Sequence, residues 1–227
     1  DLLQCGGCLV MRLSKYLHSC LLVEDGDTRI LVDPGNWTFG EGGMKPEDFP
    51  NIAAIFVTHS HADHMDVAGI KAVIERTGAK VFGNQDAVNI LAKMGVDAEL
   101  FESGEQRVGS ITVHAFSADH EPIIANIPQN TAYLFNKQIL VTGDSMDQRL
   151  AVHKGVSVLA GGLMAPWANQ MQVVEFVKLL APRTFLPLHD GYVKDDFRKR
   201  QYEQFTKHFA GFGIEFRPLE LGESMEV

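Results

Sequence analysis

Cysteine is scarce in this chain: three in 227 residues. That excludes a disulfide framework of the kind that staples small secreted domains. Cys5 and Cys8 form a lone Cys-Gly-Gly-Cys, and Cys20 stands apart. One such pair without a second is a weak zinc signal. No helix start in a thioredoxin-like context follows it, as redox work would need. Long apolar runs are missing too, so no transmembrane segment is predicted. No basic stretch leads into an apolar core, so no secretory leader is expected and the chain reads as cytoplasmic. Positive charge is in deficit, with 20 Lys and Arg against 29 Asp and Glu and a formal net charge of -9. That disfavours a nucleic-acid partner, because phosphate-backbone affinity rests on Lys and Arg. It leaves room for a small anionic substrate if bound metal supplies local positive charge. Internal repeats, low-complexity tracts and domain linkers are absent.

What remains is an ordinary globular composition, 45% hydrophobic and 22% charged, in a chain long enough for one sizeable core. Residues 1–10 read as a loose N-terminal extension supplied by cloning or by an upstream start. Met11-Arg12-Leu13 is the more natural beginning of a first strand, and 11–227 reads as a single domain. One stretch dominates the chemistry: Ile55-Phe56-Val57-Thr58-His59-Ser60-His61-Ala62-Asp63-His64. Ile52 to Val57 is apolar and rich in β-branched residues, as in a strand buried on both faces. It runs directly into four metal donors. In extended chain His59 and His61 point the same way, while Asp63 and His64 differ in direction unless the chain turns. Asp66 is a good N-cap for a helix from Val67, with Val67, Ile70, Val73 and Ile74 on its apolar face. Strand, tight loop and helix would thus aim donors at two neighbouring points. Imidazole with carboxylate suits Zn²⁺, with Mn²⁺ or Fe²⁺ as alternatives. The competing reading is a polar loop that merely happens to hold three histidines.

His-x-His-x-Asp-His after a strand resembles the metallo-β-lactamase superfamily. The resemblance extends from about Met11 to the C-terminus. Its pattern asks next for a His, a bridging Asp and a last His. His120 follows the strand Ile111 to Phe116, Asp144 follows Ile139 to Thr142 in a glycine turn, and His189 follows Thr184 to Leu186. Strand ends are where α/β scaffolds place their chemistry. His114 is the rival to His120, but it lies within a strand. The resemblance implies an α/β (α+β) fold, the four-layer αββα sandwich. It also implies two divalent metal ions, one held by His59, His61 and His120, the other by Asp63, His64 and His189, with Asp144 between them. His59, His61 and Asp63 would then carry the catalysis. Two ions sharing a hydroxide lower its pKa toward ~7 and polarise the scissile oxygen. The expected activity is therefore hydrolysis of an ester, lactone, amide or phosphodiester bond in a small or lipid-like molecule. An RNA-processing nuclease and a non-hydrolytic metal-binding relative are the alternatives. Met65-Asp66-Val67 stands where glyoxalase-type relatives carry Gly-Gly.

His18, in Leu17-His18-Ser19, and Asp33-Pro34 one hairpin later resemble a branch that holds the ascorbate-6-phosphate lactonases and the N-acyl phosphatidylethanolamine phospholipases. Tyr16-Leu17 replaces the usual Gly. Either residue could orient a ligand histidine from behind. The alternatives are a hydrogen-bonded strand histidine and a simple turn residue. Trp37, Phe39 and Met44 on one Gly-rich loop, Met164 and Trp167 on another, and Tyr192 past His189 are candidates to line a substrate cleft. Core packing or a subunit interface in a homo-oligomer would use the same residues.

The remaining pattern predicts strands over 13–23, 28–32, 80–82, 98–101, 131–135, 138–142 and 157–160, with a last strand over 214–217. Helices are expected over 85–94, 169–180 and 195–209, the last with Phe197, Tyr202, Phe205 and Phe209 facing inward. His153 and His208 read as surface residues.

Overall fold

A computed structural model describes residues 10–227, so the Cys5 and Cys8 pair lies outside the described residues. In chain order the elements begin with β1 (Arg12–Lys15), β2 (Leu21–Asp25), β3 (Thr28–Val32), a short α1 (Asn36–Phe39) and β4 (Ala54–Val57). Next come α2 (Val67–Thr77), β5 (Lys80–Gly83), α3 (Gln85–Lys93), β6 (Glu99–Leu100), β7 (Gly104–Val108) and β8 (Ile111–Ser117). The hairpin β9 (Thr131–Phe135) and β10 (Ile139–Val141) follows, then β11 (Val158–Gly162), α4 (Gln170–Leu180), β12 (Thr184–Leu188) and α5 (Asp195–Ala210). β13 (Glu215–Phe216) and β14 (Ser224–Glu226) complete the chain.

Two seven-stranded sheets result, ordered β14-β1-β2-β3-β4-β5-β6 and β13-β12-β11-β10-β9-β8-β7. Each opens as an antiparallel meander and turns parallel, at β3–β4 in the first and β10–β11 in the second. Burial on both faces explains the unbroken apolar strands. Ile30, Val32 and Phe56 pack between the sheets with Tyr133, Phe135 and Val141. Their neighbours Leu31, Ile55 and Val57 face α2 and α3 through Ile70, Val73, Ala87 and Leu91. On the far side Leu140, Leu159 and Phe185 meet Val173, Val177, Phe205 and Phe209. This is the αββα four-layer sandwich.

Helix starts are fixed by side chains, as the orphan N–H groups of a first turn require. Asp66 accepts from Ala68 N at 3.1 Å, and Asn84 caps α3. Asn169 forms a capping box with Gln172 at the head of α4.

Two expectations are corrected, and two strands are added. The strand predicted over 13–23 is two strands broken at 16–20, because His18 adopts a left-handed backbone with φ 70°. β7 was not anticipated: Gly-Glu-Gln-Arg-Val is a polar edge strand that gives no apolar signal. Nor was β14, three residues that return to pair with β1. Phe197 is 43% exposed rather than inward. No helix among the described residues is long and apolar enough to cross a membrane.

Candidate metal centre

The strands β1, β3 and β4 of one sheet run in the same sense, as do β8, β10 and β12 of the other. The loops that leave them gather at one end of the sandwich. His18 follows β1, Asp33 follows β3, and His59 to His64 follow β4. His120, Asp144 and His189 follow β8, β10 and β12. The geometry thus brings together every histidine and aspartate expected of the site and leaves His114 aside, on β8 and paired to Glu105.

Two groups of donors form. His59, His61, His120 and Asp144 offer atoms within 4.8 Å of one another, and so do His18, Asp63, His64 and His189. Asp144 lies between the two. Its Oδ2 is 3.8 Å from His59 Nε2, 3.6 Å from His120 Nε2 and 3.2 Å from His189 Nε2, while Oδ1 is 3.3 Å from His64 Nε2. His18, expected to orient a ligand from behind, lies close enough to belong to the second group. Its Nε2 reaches Asp63 Oδ2 at 3.1 Å.

Outer contacts aim the rings. Asp33 accepts from Thr58 N at 2.7 Å, from Thr58 Oγ1 at 2.6 Å and from His64 Nδ1 at 2.9 Å. The last contact turns His64 Nε2 toward the centre, the usual work of a carboxylate behind a ligand imidazole. The carbonyl oxygen of Glu121 does the same for His120, accepting from Nδ1 at 2.6 Å. Gly191 N donates to His18 Nδ1 at 3.1 Å, which leaves Nε2–H to donate to Asp63. Trp167 Nε1 donates to Asp144 Oδ2 at 3.1 Å, and the Tyr192 hydroxyl donates to Asp63 Oδ2 at 2.8 Å. Trp37 stacks on His18 and meets Tyr192 edge-on. Phe39 and Met44 pack instead against the α2 layer, with the Phe39 ring where a Cβ on Gly69 would stand.

The residues fit a cation. The Nε2 atoms of His59 and His120 are buried with no hydrogen-bond partner, and Asp144 Oδ1 lies near His64 without hydrogen-bond geometry. Orphaned buried polar atoms are costly and call for an explanation; three of them facing one space suit a metal ion. Burial, then the neighbouring His64, holds His59 well below the usual histidine range, so its ring is neutral and able to ligate. Burial likewise pushes His18 down to about 4. Burial would raise Asp63 and Asp144, but the facing imidazoles outweigh it and both carboxyls are held well below their usual range. Against burial, the Asp144 carboxylate raises His189 to about 9.

His18, Asp33 and His189 all carry positive φ, at 70°, 48° and 59°. Non-glycine residues there store backbone strain on the order of 1–3 kcal/mol each, a hallmark of sites built for function. Sequence patterns missed Asn84, whose Nδ2 holds Thr58 O and Gln129 O at 2.9 and 3.0 Å. They also missed Asn130, which binds Ala118 O and Thr142 O and accepts from Asp144 N. Buried asparagines at strand ends are a signal only once the ends are known to converge.

Comparison with known proteins agrees with this geometry. Residues 12–189 match the family described as a β-lactamase superfamily domain. Protein Rv0786c of Mycobacterium tuberculosis is 30% identical over 87% of this chain and 92% of its own. The UPF0173 metal-dependent hydrolase mll0680 of Mesorhizobium japonicum is 34% identical over 96% of this chain and all of its own, 100%. Among solved structures, Igni18, a metallo hydrolase from the archaeon Ignicoccus hospitalis, superposes with a TM-score of 0.70. That match has 19% identity over 96% of this chain and 98% of that one.

Proposed function

The chain belongs to the β-lactamase superfamily, among its metal-dependent hydrolases, and we propose that it hydrolyses an ester, lactone, amide or phosphodiester bond at a pair of divalent ions, zinc before manganese or iron. The observation that carries the reading is the pair of donor groups meeting at Asp144, with orphaned imidazole nitrogens turned into the space between them. His59, His61 and His120 would hold one ion; Asp63, His64 and His189 would hold the other; Asp144 would touch both. Bound there, such ions supply a nucleophilic hydroxide near neutral pH and polarise the scissile oxygen. The protein's own part is positional. Asp33 fixes His64, the Glu121 carbonyl fixes His120, and the Trp167 indole and Tyr192 hydroxyl steady Asp144 and Asp63. The carboxylates are ionised and His59 is neutral, as ligation needs, whereas the facing carboxylates raise His64 and His189, so a metal there would displace a proton. In the net reaction water gives its hydroxyl to the carbonyl or phosphoryl centre and its proton to the leaving group. A reducing compartment is the setting we favour, on the scarcity of cysteine in the chain.

The test is to strip the protein with chelator, reload it with Zn²⁺, Mn²⁺ or Fe²⁺, and assay carboxylic esters, lactones, thioesters and phosphodiesters. Turnover should vanish on stripping and return with metal for at least one class. A fully loaded protein inert on all of them contradicts the reading.

A further inference from the structure

Beside the metal centre lies a cavity of about 870 Å³, at the upper end of the few-hundred to ~1,000 Å³ usual for small-molecule sites. It is walled by the loop that leaves β11, the first turn of α4 and the side of α5 that carries Phe197, Gln201 and Phe205. Leu163, Met164, Met171, Val193, Phe197 and Phe205 are among its lining, and no Asp, Glu, Lys, Arg or His lines it. Its polar side chains are already engaged. Asn169 Oδ1 accepts from Met171 N and Gln172 N, and Gln170 is hydrogen-bonded to Gln201. Tyr192 also lines the cavity, with its hydroxyl donating out of it to Asp63. Trp167, between the lining residues Pro166 and Ala168, reaches Asp144 from the same wall. Tyr192 and Trp167 therefore stand between the cavity and the donor groups, and the rest of its lining is mainly apolar.

Three large apolar side chains stand open around it: Met171 is 60% exposed, Tyr192 50% and Phe197 43%. Apolar surface gathered over a cavity marks a place that something covers. The hydrogen bonds that Tyr192 and Trp167 carry from its wall to Asp63 and Asp144 point to a substrate rather than a protein partner. Methionine thioethers and short aliphatic side chains adapt to a flexible chain, and the lack of charge refuses an ionic one.

We infer that this cavity is an acyl pocket, holding the unbranched aliphatic chain of an uncharged carbonyl substrate whose reactive end lies at the metal centre. The inference rests on the hydrolase reading only for the bond that is broken. Burial of each further methylene improves binding about fourfold when complete, so chain length should be read directly in kcat/KM.

The experiment has two arms on the metal-loaded protein. In the first, p-nitrophenyl esters from acetyl to dodecanoyl are assayed; kcat/KM should climb by at least tenfold from acetyl to octanoyl. In the second, methyl ketones from propyl to undecyl, which cannot be hydrolysed, are titrated by calorimetry, and affinity should climb in parallel. Phe197→Asp and Met171→Lys, both at open positions, should flatten both series while metal content stays at the wild-type value. A steep ketone series with no ester turnover would retain the pocket and count against the hydrolase reading. A flat ketone series in a loaded, folded protein overturns the pocket whatever the esters do. So does a concentration-dependent dimer that excludes the ketones, since a second chain would then be the occupant.

Discussion

Asp190 carries its charge where water does not reach, one residue past His189. Its side chain is fully buried, Lys15 beside it is 4% exposed, and the ammonium lies 3.0 and 2.9 Å from the two carboxylate oxygens. The Tyr202 hydroxyl donates to the same carboxylate. Breaking a buried pair by removing one partner is expensive, because the other charge is left uncompensated; the cost is about 3–5 kcal/mol. Lys15→Met should therefore lower stability by that order in urea unfolding near neutrality. The pH sign follows from the same contacts. Burial pushes the Asp190 carboxyl up, but Lys15 and then Tyr202 outweigh it and hold it below the usual carboxylate range. A lowered folded pKa contributes stability that is present above the unfolded pKa and lost as pH falls through the folded one. Without Lys15 the largest influence opposing burial is gone, Tyr202 remains, and the folded pKa rises, so the stability present above the unfolded pKa is reduced or lost. The deficit of the variant should be largest near neutrality and shrink in mild acid. A pH-independent deficit would show that the ion pair is not its cause. Lys15 and Asp190 were invisible as a pair in the sequence: 175 residues separate them, and a lone Lys in an apolar run gives no hint of its partner. The histidines were legible because His-x-His-x-Asp-His concentrates donors in six positions.

At the scale of elements, the site exists because two loops lie against each other. The turn after β3 meets the metal loop after β4 through Asn36 N to Ala62 O at 2.8 Å and Asp66 N to Pro34 O at 3.0 Å. Gly35 sits at the contact. A Cβ there would stand 2.0 Å from the Asp63 carbonyl oxygen and 2.6 Å from His64 N. This is a demand for space rather than for a special backbone angle, since Gly35 has φ -82°. Gly35→Ala should cost about 1–3 kcal/mol, the usual range for forced overpacking. It should also weaken metal binding at Asp63, His64 and His189 more than at His59, His61 and His120, as read by competitive chelator titration. Equal weakening of both groups would refute this view of the loop contact. Strand ends were readable because apolar runs stop abruptly at His or Asp. The break between β1 and β2 was not, because residues 13–23 stay mostly apolar across the left-handed turn at His18. β7 escaped notice because an exposed edge strand needs no apolar face.

Across the whole molecule, the two sheets repeat one plan. An antiparallel meander leads into parallel strands with covering helices, and β14 crosses back to seal the first sheet against β1. Nothing in the sequence announces this duplication, because the two halves share burial pattern and not residues. The plan places the ends of six strands at one rim. A chain with a formal net charge of -9 can thereby gather six imidazoles among the two donor groups without a basic surface. At the same rim Tyr192 and Trp167 link the uncharged cavity beside α5 to Asp63 and Asp144. The central claim is that two groups of ligands, joined at Asp144, each hold an ion. It is tested most directly by counting metal in the folded chain, by mass spectrometry of the element after loading with Zn²⁺ and desalting. The account predicts about two ions per chain, falling to about one in His59→Ala and below one in Asp144→Ala, in keeping with a two-metal site. A wild-type chain that retains a single ion, or a His59→Ala chain that retains both, would contradict it.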